Sequence, residues 1–163
     1  MDITLVILYS YLLGSIPFGL IYAKIAGLGD VRNIGSGNIG ATNVLRTGNK
    51  QVAAYTLLSD IAKGSIAVLI TNKFFSEYSL LSFLIVYLGH IFPVWLKFKG
   101  GKGVATFIGG ILITNYILGL VFLITWGVIA KIFKISSLSA IIAFIVTLVI
   151  TFIFYDFNLT LLI

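Results

Sequence analysis

The stretch GSGNIGATNVLR, residues 35–46, concentrates groups able to bind an anion. Gly35, Gly37 and Gly40 let the backbone approach a ligand closely, and successive N–H groups in such a turn form an anion-binding nest. Ser36, Asn38, Thr42 and Asn43 add hydroxyl and amide groups, and Arg46 adds a planar fork suited to phosphate. The first six residues also fit G-x-G-x-x-G. A dinucleotide loop, however, needs a preceding strand, a following helix and an acid about twenty residues on. Here the preceding element is a long apolar run, and the candidate acid, Asp60, lies inside another. The dinucleotide reading fails. Two readings stay open on composition: a ligand site, or a solvated interfacial loop with a helix cap at Thr42 or Asn43.

A second cluster is GHIFPVWLKFKGGKGVAT, residues 89–106. Lys97, Lys99 and Lys102 surround Gly100, Gly101 and Gly103, just before an apolar run that opens with Val104 and includes Thr106. Glycine amides, ammonium groups and the positive end of a helix dipole together make a phosphate cradle. The plainer alternative is a set of lysines anchoring a span to lipid headgroups, for which the glycines are not needed. It is not a Walker A loop, because Leu96 stands where that pattern needs Gly and Gly103 where it needs Ser or Thr. His90 is able to serve as acid, base or hydrogen-bond donor, or simply as an interface residue at a span end. Asp60 and Lys63 share a helical face and are costly in lipid, so they are expected to face the bundle interior. There they form either a mutual pair or part of a polar pocket. With one histidine and no cysteine, thiol catalysis and thiolate sites are excluded and no metal site is expected.

The elements that must position these residues are membrane spans. Of 163 residues, 60% are hydrophobic and 10% charged, and the mean hydropathy is +1.14. A soluble domain carries about a quarter charged residues. Lipid is the solvent this composition requires. The first apolar run, 3–26, is interrupted by Gly14, Ser15 and Pro17, where proline should kink a helix. It starts with Asp2 rather than a basic segment and has no A-x-A site, so it reads as a retained span. The polar loop 27–51 follows, then a run at 52–71, a short turn at 72–77, a run at 78–96 and the basic loop 97–103. The apolar run 104–133, as one helix, would be roughly 45 Å long against a hydrocarbon core of roughly 30 Å. Thr114–Asn115 offers a break into two short crossings. A further span covers 135–155. Placing loop 27–51 in the cytoplasm then puts loop 97–103, Lys131 and Lys134 there too, as the positive-inside rule expects. The formal charge of +6 is thus read first as topology and second as an anion contact surface, with no nucleic-acid partner expected.

Taken together, the two motifs resemble those of the bacterial acyl-phosphate:glycerol-3-phosphate acyltransferases, small polytopic membrane enzymes. Asp30, Arg32, the DIAKG run at 60–64 and, more weakly, KISSLSAI at 134–141 extend the resemblance over nearly the whole chain. The histidine–aspartate pair of the usual glycerolipid acyltransferases is absent, since Trp95 stands five positions after His90. The resemblance implies an all-α, polytopic transmembrane bundle with its active site on the cytoplasmic face of the bacterial inner membrane. It implies transfer of a fatty acyl group from acyl phosphate to the 1-hydroxyl of glycerol 3-phosphate, giving lysophosphatidic acid and phosphate in phospholipid synthesis. No cofactor is implied. Ser36 and Arg46 match important residues of the family's first motif, and Gly100 to Gly103 with Lys102 match its glycerol 3-phosphate-binding motif. A seventh span with a third motif of histidine, asparagine and glutamate belongs to the family. Residues 156–163 read as only the start of that span, so one acyltransferase domain, 1–163, with six spans and a C-terminally incomplete seventh is expected.

In the chemistry that follows, Ser36, Arg46 and His90 act at the reacting groups. Gly35, Gly37, Asn38, Gly40, Thr42, Asn43, Lys99, Gly100, Gly101, Lys102, Gly103 and Thr106 bind substrate, with Asp60 and Lys63 in support. The rival reading is a transporter or binding protein for a phosphorylated anionic solute, which would carry its site near the bilayer midplane and show related halves.

Overall fold

The computed structural model describes residues 2–154, and every regular element among them is helical. They fall into two compact units, divided between Thr114 and Asn115. The start of the expected seventh span lies outside the described residues.

In the first unit, α1 (Asp2–Ser15) and α2 (Phe18–Ile25) divide the first apolar run at Pro17, as its fixed φ and missing N–H dictate. The polar loop contains a short 3₁₀ turn, Val31–Asn33, and a single helical turn, α3 (Ala41–Val44). Thr42 and Asn43 lie inside that turn and do not cap it; Gly40 occupies the cap position. The long helix α4 (Lys50–Phe74) starts where the Asn49 side chain accepts the Val52 N–H at 3.1 Å. Two further helices, α5 (Ser79–Ile91) and α6 (Val104–Thr114), complete the unit.

Helix α4 is the central element, packed against α6, α5, α2, α3 and α1. Apolar faces gain little by meeting each other in lipid, so close backbone approach through small residues holds the helices together. A Cβ at Gly109 of α6 would lie 2.0 Å from the Ile61 carbonyl oxygen, and one at Gly64 of α4 would lie 2.2 Å from that of Thr106. Ser65 Oγ seals the contact by donating to the Gly109 carbonyl at 2.9 Å. Polar rungs join the other helices: Ser10 to Ser82 at 2.8 Å, and the Tyr9 hydroxyl to Thr71. Gly109→Leu should therefore force α4 and α6 apart and destabilise the fold by about 1–3 kcal/mol. Thermal unfolding in detergent micelles measures it, and a melting temperature unchanged from the parent would refute this account of the packing.

The second unit pairs α7 (Tyr116–Phe133) with α8 (Ser136–Phe154). Asn115 caps α7 by accepting the Leu118 N–H at 3.1 Å, so the break foreseen at Thr114–Asn115 is present. Phe122 and Phe144 stack edge-on with centroids 4.9 Å apart. Most of the large side chains along these two helices, such as Leu148 and Phe152, are exposed, as lipid-facing residues must be.

Among the described residues, five helical segments, 2–25, 50–74, 76–96, 116–133 and 136–154, are long and apolar enough to cross a membrane. Helix α6, with 11 residues, extends only about 16 Å, roughly half of a hydrocarbon core. The first of the two short crossings expected over 104–133 is thus a half-length helix.

Candidate active site

The first loop is a rigid frame. Asp30 caps the turn Val31–Asn33 by accepting the Arg32 N–H, and its carboxylate also accepts Nε and Nη2 of Arg32, the latter at 2.6 Å. These bonds pull the Asp30 carboxyl from its ordinary 3.8 to about 2, and the Arg32 guanidinium is raised in turn. Asp30 therefore stays charged down to strongly acid pH. Val31, Ile39 and Val44 are buried, and Val31 and Val44 join Ala23, Val52 and Ala53 in an apolar cluster between loop, α2 and α4. Gly35 and Gly37 take left-handed φ values of 53° and 67°, which reverses the chain at the exposed tip.

Asn43 is the internal fastener of that tip. It is buried, its Nδ2 donates to the carbonyls of Val31 (2.7 Å) and Asn38 (2.8 Å), and its Oδ1 accepts the Ser36 N–H at 2.9 Å and the Ser36 hydroxyl at 3.2 Å. Ser36 itself is exposed, and its hydroxyl is oriented from beneath. Asn38 Oδ1 accepts the Gly40 N–H. Arg46, exposed on the 3₁₀ turn Leu45–Thr47, lies over Gly35: a Cβ there would sit 2.4 Å from its Nη1.

The second loop leaves α5, turns through Val94–Leu96, and then holds Lys97 and Phe98 at φ 52° and 62°. Such left-handed geometry is uncommon for residues with a Cβ and is typical of functional sites. Gly100 and Gly101 fold back, their N–H groups donating to the carbonyls of Ile91 (3.0 Å) and His90 (3.1 Å). Helix α6 begins directly after Gly103.

A cleft of about 500 Å³ lies between the two loops, walled by Arg32 and Gly37 from the first and by Trp95, Leu96, Lys97, Lys99 and Gly100 from the second. Both loops therefore belong to one end of the first unit. Ser36, Arg46, Thr42 and Lys102 are exposed on the same loops. Three lysines of the second loop, Lys97, Lys99 and Lys102, join Arg32 and Arg46 on the first, and the one acid on these loops, Asp30, is bound to Arg32. A positive cleft with left-handed glycines suits a phosphate ester. Composition alone had singled out Gly37, Lys99 and Gly100, but Trp95 and Leu96 were not foreseen. Their only signal was position, inside the turn that delivers the lysines.

Four of the expected residues lie elsewhere. Asp60, Lys63 and His90 are buried together, at 2%, 3% and 3% exposure. Lys63 Nζ is 2.9 Å from Asp60 Oδ1 and also donates to the Ile16 carbonyl at 2.8 Å. His90 Nδ1 faces the same carboxylate oxygen at 3.5 Å. Thr106 is buried under α4, and its hydroxyl has no partner. Among the described residues no group of three or more His, Cys, Asp or Glu side chains is placed to hold a metal.

Comparison with known proteins adds independent findings. The family model described as glycerol-3-phosphate acyltransferase matches residues 4–163. A glycerol-3-phosphate acyltransferase of Pelagibacter ubique is 50% identical over 158 residues, covering 97% of this chain and 83% of that protein. One from Bartonella henselae is 56% identical over 149 residues, covering 88% and 70%. Among solved structures, PlsY, an integral membrane glycerol 3-phosphate acyltransferase, superposes in its glycerol 3-phosphate form with a TM-score of 0.88 at 37% identity. That match covers 98% of this chain and 81% of PlsY. The lysophosphatidic acid form gives 0.82 at 36% identity, covering 94% and 77%.

Proposed function

Because it belongs to the glycerol-3-phosphate acyltransferase family, this integral membrane chain is an enzyme that acylates glycerol 3-phosphate, and we propose that its donor is acyl phosphate and its active site the two-loop cleft. The observation that carries the reading is that cleft, in which Gly37 of one loop and Lys99 and Gly100 of the other share a wall set with Arg32.

Acyl phosphate is a mixed anhydride whose leaving group departs readily, so no strong dedicated base is needed. The 1-hydroxyl oxygen bonds to the acyl carbon, the bond from that carbon to the phosphate oxygen breaks, and the electron pair leaves on phosphate. The hydroxyl proton passes to the released phosphate or to water. The protein's task is to hold two anions together and to neutralise charge growing on the leaving phosphate. Arg46 and Lys102, with amides of Gly35 and Gly103, serve that end, while the N–H groups of Gly40 and Gly101, expected to bind substrate, are spent on Asn38 Oδ1 and the His90 carbonyl and shape the loops instead. Ser36, oriented by Asn43, and Asn38 and Thr42 align the hydroxyl or carbonyl. The acyl chain lies between spans, open to the bilayer, and the cleft faces the cytoplasm of a bacterial inner membrane. The scheme asks for no metal or nucleotide.

The test supplies the purified full chain with labelled glycerol 3-phosphate and either acyl phosphate or acyl-CoA. Lysophosphatidate is expected from acyl phosphate. Product from acyl-CoA alone overturns the donor assignment, and product from neither overturns the catalytic reading.

A further inference from the structure

We infer that His90 is the positioning residue of the glycine-rich loop: its ring, set from behind by Asp60, seats Gly100 and Gly101 and so aims Lys99 and Lys102 at the phosphate of glycerol 3-phosphate. The inference rests on the reading of the cleft given above.

The loop lies on His90 in two ways. Helix α5 ends at Ile91, which leaves its last carbonyls without helical partners. The His90 carbonyl accepts the Gly101 N–H and the Ile91 carbonyl accepts the Gly100 N–H, at 3.1 and 3.0 Å. The ring supplies the second support. A Cβ at Gly101 would lie 2.0 Å from Nε2 and 2.9 Å from both Cδ2 and Cε1, so the three nearest atoms all belong to His90. The ring edge that a general base would present is the edge that Gly101 covers.

Behind the ring stands an anchored carboxylate. Nδ1 faces Asp60 Oδ1, and that carboxylate is tethered to Lys63, which is itself bonded to the Ile16 carbonyl at the break between α1 and α2. A phenyl ring would fill the same volume without the cost of burying polar groups, but nothing would then set its rotation. An imidazole against a fixed carboxylate has one preferred orientation. The chain Ile16–Lys63–Asp60–His90–Gly101 thus runs from the first helix break to the loop that carries the lysines.

The experiment uses Trp95, a wall residue of the cleft, as its reporter. In the full-length chain with Trp126→Phe, Trp95 fluorescence is titrated with glycerol 3-phosphate, and turnover with acyl phosphate is measured alongside. His90→Gln and Gly101→Ala should each weaken glycerol 3-phosphate binding by about tenfold or more. KM for glycerol 3-phosphate should rise in step, with kcat changed by less than about threefold. Gly101→Ala should cost almost nothing once His90 is alanine, because the group it collides with is gone; such background dependence marks direct coupling. A purely structural role predicts lower melting temperatures with unchanged affinity in the folded fraction, and that result overturns the inference. So does a fall in kcat of about a hundredfold at unchanged KM, which would put His90 on the reacting atoms. An equal cost of Gly101→Ala in both backgrounds overturns it too. If glycerol 3-phosphate fails to bind the parent, the reading of the cleft falls and the inference with it; binding by the parent with undiminished binding by His90→Gln removes the inference alone.

Discussion

Arg46→Ala is expected to lower kcat/KM for glycerol 3-phosphate by about 10²–10³-fold, the cost of removing one preorganised donor to a developing anion. The guanidinium is held over Gly35 by the turn Leu45–Thr47, at the left-handed tip of the first loop. Its removal leaves Arg32, Lys97 and Lys99 in the walls of the cleft. Long-range attraction of anions therefore survives, and the loss falls on the transition state. Arg46→Lys keeps the charge but not the two-pronged fork, so it should recover only a minor part of the activity. Because Arg46 is exposed, both variants should melt within about 0.5 kcal/mol of the parent. Steady-state kinetics with acyl phosphate decide the matter. An alanine variant within about threefold of the parent would remove Arg46 from the site.

The second large effect is on folding. Lys63→Met leaves the Asp60 carboxylate buried with no ammonium beside it, and removal of one partner from a buried ion pair costs about 3–5 kcal/mol. It also takes the donor away from the Ile16 carbonyl at the helix break. Replacing both members, Asp60→Asn with Lys63→Met, should be much milder, because no unpaired charge remains. Thermal unfolding in micelles should rank parent, double variant and single variant in that order. If the single variant melts with the parent, the pair carries none of the stability assigned to it.

Much of the site was legible because its signals are local. Glycines, lysines and Arg46 cluster within two short stretches, and Asp60 and Lys63 are three residues apart, so helix geometry alone put them on one face. The pairing of His90 with Asp60 was not legible, since thirty residues separate them and no pattern links the two. Asn43 reads in sequence like any other polar ligand group, yet the fold spends all of its amide inside the first loop. Only the position of Val31 and Asn38 beside it could have revealed that.

By itself the sequence determined the solvent, the helical class, the breaks at Pro17 and Asn115 and the two loops, because hydropathy, proline and capping asparagine act over a few residues. The tertiary structure decided which helix faces meet, and with them the shared cleft and the burial of His90 under Gly101. The physical reason is the bilayer. Around a helix in lipid both the packed and the exposed sides are apolar, so hydrophobic periodicity no longer reports facing. Contact is chosen instead by small residues such as Gly64 and Gly109 and by polar partners such as Asp60 and His90, which reveal their roles only once the helices are together.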